Sequence, residues 1–126
     1  MSNGRHLILD LYGCDEDILN DRDQLEETLV TALMTAKANV LQVIGHKFEP
    51  QGVTLLALLA ESHASIHTWP EIGYCAIDLY TCGEETDTHA AATHLKRKLN
   101  AETIEEKEIV RSVTPPVCVF NRRVYS

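Results

Sequence analysis

Residues 61–71 read ESHASIHTWPE, which places Ser62, His63, Ser65 and His67 within six positions. Imidazoles bind metals or move protons near neutral pH, and hydroxyls attack carbonyls. Three chemistries therefore compete. His63 and His67 are four apart and would align as metal ligands only on a helix. Pro70 and the β-rich surroundings oppose a helix, and no third ligand stands at a usual spacing, so zinc is not expected. His6, His46, His89 and His94 are scattered. A serine hydrolase would need a G-x-S-x-G elbow, and neither Ser62 nor Ser65 has one. The third chemistry is self-processing. A serine hydroxyl attacks the carbonyl before it, the peptide becomes an ester, and β-elimination with hydrolysis leaves a pyruvoyl group and ammonia. That route needs a strained turn, a hydroxyl to polarise the carbonyl and a base for the serine α-proton. The residues allow this at Glu61-Ser62 without requiring it.

The elements that would position this stretch follow from periodicity. In HLILDLY, Leu7, Leu9 and Leu11 share one face, with His6, Ile8, Asp10 and Tyr12 on the other, which predicts a strand. Leu25, Leu29, Leu33 and Ala36 form a helical stripe, with Asp23 and Glu26 as a capping box and Asn39 at the exit. Residues 40–48 and 53–60 read as an antiparallel hairpin around Pro50-Gln51-Gly52, and 74–82 as a further strand ended by Gly83. Residues 87–99 read as a helix capped by Asp87, with Ala91, Leu95 and Leu99 on one face and basic residues in the last turn. ETIEEKEIV (102–110) reads as a strand against its Glu and Lys content, and the tail with Pro115-Pro116 as extended chain.

The expected fold is α+β: a two-layer sandwich with a mainly antiparallel sheet and two helices on one face. Ile8, Tyr12, Tyr74, Ala76 and Tyr80 would leave the other face apolar and uncovered, so a homodimer is expected.

At 126 residues the chain is one domain, and 44% hydrophobic with 24% charged residues marks it as folded. A net charge of −8 argues against nucleic acid as a partner. No apolar run is long enough to span a membrane, and MSNGRHLILD does not read as a secretory signal, so the expected location is cytoplasmic. Cys14, Cys75, Cys82 and Cys118 form no CxxC pair and are expected as thiols.

The block LLAESHASIHTWPEIGYCAIDLYTCG, with GRHLILDLYGCD and KFEPQGVT before it, resembles the bacterial and archaeal S-adenosylmethionine decarboxylase proenzymes over roughly residues 4 to 99. The resemblance implies cleavage between Glu61 and Ser62 into a beta chain 1–61 and an alpha chain 62–126. Ser62 would become the pyruvoyl group that forms a Schiff base with substrate. His67 would be the proton acceptor in processing, and Cys82 the proton donor in turnover. The family carries a serine where this chain has Thr54, which keeps the hydroxyl with a more restricted rotamer. By position, Phe48 and Trp69 would flank adenine and Glu71 would bind the ribose hydroxyls. By residue type alone, Phe48 and Trp69 read as core, Cys82 as a passive thiol and Glu71 as a solvated carboxylate.

The implied activity is decarboxylation of S-adenosylmethionine to an aminopropyl donor for polyamine synthesis. Neither pyridoxal phosphate nor a metal is implied. Two rivals stand beside it: a pyruvoyl decarboxylase of another amino acid, and an unprocessed, non-enzymatic dimeric binding or regulatory homologue.

Overall fold

The computed structural model describes residues 3–83 and 85–115. Strand β1 (Gly4–Tyr12) buries Leu7, Leu9 and Leu11, as its alternation requires. A short helix α1 (Glu16–Leu19) follows, capped by Asp15, whose carboxylate accepts from the backbone of Asp17 and Ile18. Helix α2 (Arg22–Thr35) buries Leu25, Leu29, Ala32 and Leu33. Its cap is Asp21, which accepts from the Gln24 amide; Asp23 lies inside the first turn, so the cap sits two residues earlier than expected. The helix also ends before Asn39. Ala36 closes it, and Lys37 turns the chain with φ +68.

Strands β2 (Val40–Lys47) and β3 (Val53–Leu59) form the expected hairpin. The stretch that opened the reading is itself a strand, β4 (Ser62–Trp69), which periodicity had not singled out because buried Ala64, Ser65 and Ile66 interrupt its alternation. A 3-10 turn (Pro70–Ile72) leads through Gly73 into β5 (Tyr74–Cys82). Helix α3 (Thr88–Lys98) has Asp87 as cap and Lys96, Arg97 and Lys98 in its last turn, and it buries Ala91, Ala92 and Leu95. β6 (Thr103–Arg111) is a strand despite its Glu and Lys, because it pairs with β1 along its whole length and pairing outweighs propensity.

The six strands form one antiparallel sheet in the order β2-β3-β4-β5-β1-β6. Helices α2 and α3 pack on one face, where their leucines and alanines join Leu55, Leu59, Ile66, Ile77 and Leu79 in a single core. The fold is thus the α+β arrangement expected. Cys75 lies in that core and Cys14 at its edge; Cys118 and the Pro116 end of the tail lie outside the described residues. Among the described residues no layer covers the opposite face: Ile44, Leu56, Leu58 and Ile109 are each about half exposed on it. Among the described residues no helix is long and apolar enough to cross a membrane.

Candidate active site

Strands β3 and β4 are joined by a two-residue turn, Ala60-Glu61, with Leu59 paired to Ser62. Glu61 has φ +63, a left-handed conformation that glycine or asparagine adopts easily and glutamate holds at a cost of about 1–3 kcal/mol. The strain sits at the residue whose carbonyl Ser62 would attack. The Ser62 hydroxyl donates to the Ala60 carbonyl at 3.2 Å. The Cys82 thiol, arriving at the end of β5, donates to the Glu61 carbonyl at 3.2 Å. A strained residue, an adjacent hydroxyl and a donor on the carbonyl oxygen therefore meet in one place.

Thr54 and His67 are elsewhere. β3 ends at Leu59 and the chain reverses, so Thr54 and Ser62 lie on different strands. Thr54 instead pairs with His67 across β3 and β4, and its Oγ1 shares a hydrogen bond of 3.1 Å with His67 Nδ1. Ser62 and His67 are the width of five residues apart on one strand, about 17 Å at the usual rise, and fall on opposite faces by alternation. His63 and His67 share the open face but stand about 13 Å apart, too far for one ion.

Around the Thr54–His67 pair lies a cleft of about 360 Å³ lined by Phe48, Gly52, Thr54, His67, Trp69 and Glu71. It unites all three residues assigned to substrate, together with Thr54 and His67. Trp69 stacks on Tyr74 (centroids 5.1 Å apart), which stacks on Tyr12 at 5.5 Å. One face of the indole is thus braced from behind, and the residue remains 41% exposed. Tyr74 donates to Asp10 Oδ1 at 2.5 Å. That hydrogen bond, with desolvation, pushes the Tyr74 hydroxyl up to about 12, so it stays protonated in the brace. Between the two ends of the hairpin, Asp78 bonds His6 Nε2 at 2.9 Å and accepts from Ser65 at 3.3 Å, tying β1, β4 and β5 together.

Tyr74, Gly52 and Thr68 were missed at sequence level. Their signal was available once β4 is a strand, because a hairpin closing through residues 70–73 must set Trp69 beside Tyr74.

Residues 5–112 match the family described as S-adenosylmethionine decarboxylase. The chain belongs to that family. The match reaches through β6, beyond the span legible as a resemblance. A Clostridium tetani protein named S-adenosylmethionine decarboxylase proenzyme is 44% identical across 92% of this chain and 93% of its own length. A protein of the same name from Synechococcus sp. WH7803 is 48% identical across 94% and 93%. The crystal structure of the adenosylmethionine decarboxylase from Aquifex aeolicus VF5 superposes with a TM-score of 0.83 at 33% identity, covering 90% of this chain and 94% of that one. Within this S-adenosylmethionine decarboxylase family chain, every residue expected in the site falls into one of two clusters: Glu61, Ser62 and Cys82 at the hairpin turn, and Phe48, Thr54, His67, Trp69 and Glu71 at its far end.

Proposed function

We propose that this chain is an S-adenosylmethionine decarboxylase proenzyme that cleaves itself between Glu61 and Ser62. The observation that carries the reading is the left-handed Glu61, with its carbonyl held by Cys82 and a serine next in line. The residues fit a group made from Ser62. Rotation about χ1 turns the hydroxyl from the Ala60 carbonyl to the Glu61 carbonyl carbon. The C–O bond forms, the C–N bond breaks, and the relief of strain at Glu61 favours the ester. Charge building on the carbonyl oxygen is met by the Cys82 thiol.

His67 takes the Ser62 α-proton. With its proton on Nδ1, held by Thr54 Oγ1, the imidazole presents a free Nε2 as base. Elimination expels the Glu61 carboxylate, and hydrolysis releases ammonia. The resulting pyruvoyl carbonyl supplies the electron sink for loss of carbon dioxide from an amino-acid substrate. Phe48 and Trp69 enclose the adenine, Glu71 accepts hydrogen bonds from two ribose hydroxyls, and Cys82 delivers a proton to the substrate α-carbon.

His67 cannot reach Ser62 along a straight strand, so the site is completed by a second copy. The uncovered face supports this: Ile44, Leu56 and Leu58 border an apolar hollow of about 430 Å³, and burying such a surface favours association. Two sheets packed open face to open face about a twofold axis set the turn of one copy against the Thr54–His67 end of the other. Each dimer then holds two sites, each built from both chains.

The test follows chain cleavage and carbon dioxide together in the purified wild-type protein. Two bands, each near half of 14.1 kDa, and carbon dioxide released from carboxyl-labelled S-adenosylmethionine are expected. One persistent full-length band without release overturns the proposal.

A further inference from the structure

The wall of the cleft that carries Phe48 is held from outside the site. Residues 48–53 form the β2–β3 turn, closed by Phe48 N–H donating to the Gly52 carbonyl at 2.8 Å. The amides of Gly52 and Val53 are both taken by side chains from other elements. Gly52 N–H donates to Asn20 Oδ1 at 3.0 Å, and Val53 N–H donates to Thr68 Oγ1 at 2.9 Å. Thr68 is buried between His67 and Trp69, and it donates in turn to the Leu19 carbonyl at 2.8 Å. The C-terminal end of α1 is thus pinned to β4 through Thr68 and to the turn through Asn20.

Asn20 does not spend its side chain on closing α1. Its backbone N–H bonds the Glu16 and Asp17 carbonyls and completes the helix, leaving the side-chain carbonyl to reach a residue 32 positions away. Gly52 adopts φ +108, and a Cβ there would stand 4.0 Å from Phe48 Cδ2 and 3.4 Å from the Thr68 carbonyl. Gly52 therefore stands beside the Phe48 ring, and both Phe48 and Trp69 line the cleft, so the atom that holds the Gly52 amide bears on the wall that carries Phe48.

We infer that Asn20 is a positioning residue for substrate: its side-chain carbonyl, through the Gly52 amide, sets the gap between Phe48 and Trp69 to admit one planar base. This rests on the reading of the cleft as an adenine site. Without the acceptor, the part-buried Gly52 N–H must find water, the turn opens, and Phe48 leaves its stacking distance. Processing chemistry is not touched, because Thr54 and His67 are held by the β3–β4 ladder.

The chain has a single tryptophan, Trp69, so its emission reports on this cleft alone. Adenosine is titrated against wild type, Asn20→Ala and Asn20→Asp, with self-cleavage and the KM and kcat for S-adenosylmethionine measured in parallel. Adenosine should quench wild-type emission. In Asn20→Ala the midpoint and KM should rise roughly two- to tenfold, the scale of one lost hydrogen bond, with kcat and cleavage unchanged. Asn20→Asp keeps an acceptor and should restore both. Equal midpoints in wild type and Asn20→Ala overturn the inference, as does equal weakening in Asn20→Ala and Asn20→Asp, or loss of cleavage in Asn20→Ala. Failure of adenosine to quench the wild type overturns the adenine reading itself.

Discussion

The two ends of the β3–β4 hairpin differ in kind. At the closed end the backbone carries the chemistry: a glutamate in a left-handed turn, with its carbonyl gripped by a thiol from the neighbouring strand. At the open end side chains carry it: a threonine–histidine pair inside an aromatic cleft whose tryptophan is braced by two stacked tyrosines. In the proposed reaction the turn holds the bond to be broken, and the cleft holds the base and the binding surface. A strand cannot fold back on itself, so about 17 Å separates Ser62 from His67 within one copy. The difference teaches that, in the proposed reaction, the turn and the cleft are two half-sites at opposite ends of one hairpin, each lacking what the other has.

The largest effect should come from removing the attacking hydroxyl. Ser62→Ala should remain a single 14.1 kDa chain on denaturing gels and release no carbon dioxide from substrate. Normal cleavage would place the scissile bond elsewhere.

The division between half-sites is tested by mixing. His67→Ala alone should stall, with ester accumulating that hydroxylamine cleaves. Co-expressed with tagged Ser62→Ala, the His67→Ala chain should be cut, because one site of each mixed dimer then pairs an intact Ser62 with an intact His67. An uncut His67→Ala chain in isolated mixed dimers would show that one copy supplies both groups.

Cys82→Ala should separate two duties of the thiol. Loss of the hydrogen bond to the Glu61 carbonyl should slow cleavage without stopping it, and loss of the proton donor should lower turnover further. Time courses of chain cleavage and carbon dioxide release give the two rates. A fully active Cys82→Ala enzyme would remove the thiol from both steps.

Trp69→Ala touches only the cleft. Loss of one stacking face should weaken substrate by about 1–3 kcal/mol, roughly tenfold or more in affinity, while cleavage proceeds. Unchanged binding would reject the stacking role.

The smallest effect contrasts the thiols. Burial pushes the Cys14 thiol up to about 11, and Cys75 is pushed up further by deeper burial with Cys14 nearby. At pH 8 both stay protonated and covered, so iodoacetamide should modify Cys82 while leaving Cys14 and Cys75 intact by peptide mass mapping. Equal alkylation of Cys75 would mean that the core opens readily.

Most elements were legible because their signals are local. Leucines at every second position marked β1, an aspartate before an apolar stripe marked α3, and Pro-x-Gly marked the β2–β3 turn. β4 was not, because Ser65 is buried with its hydroxyl on Asp78 and so breaks the alternation between Ala64 and Ile66. The α2 cap was misread for a related reason: Asp21 and Asp23 both suit an N-cap, and only the carboxylate that reaches the Gln24 amide settles the start.

The sequence by itself determined which residue types are on hand for chemistry and which face of β1 and β5 is buried, because side-chain type and period-two alternation are properties of the chain. It did not determine which of these residues meet. That Cys82 grips the Glu61 carbonyl 21 positions away, and that Thr54 faces His67 rather than Ser62, follows from strand register. Register is set by the turns and by packing on the helices, and alternation alone leaves the partner across the ladder open.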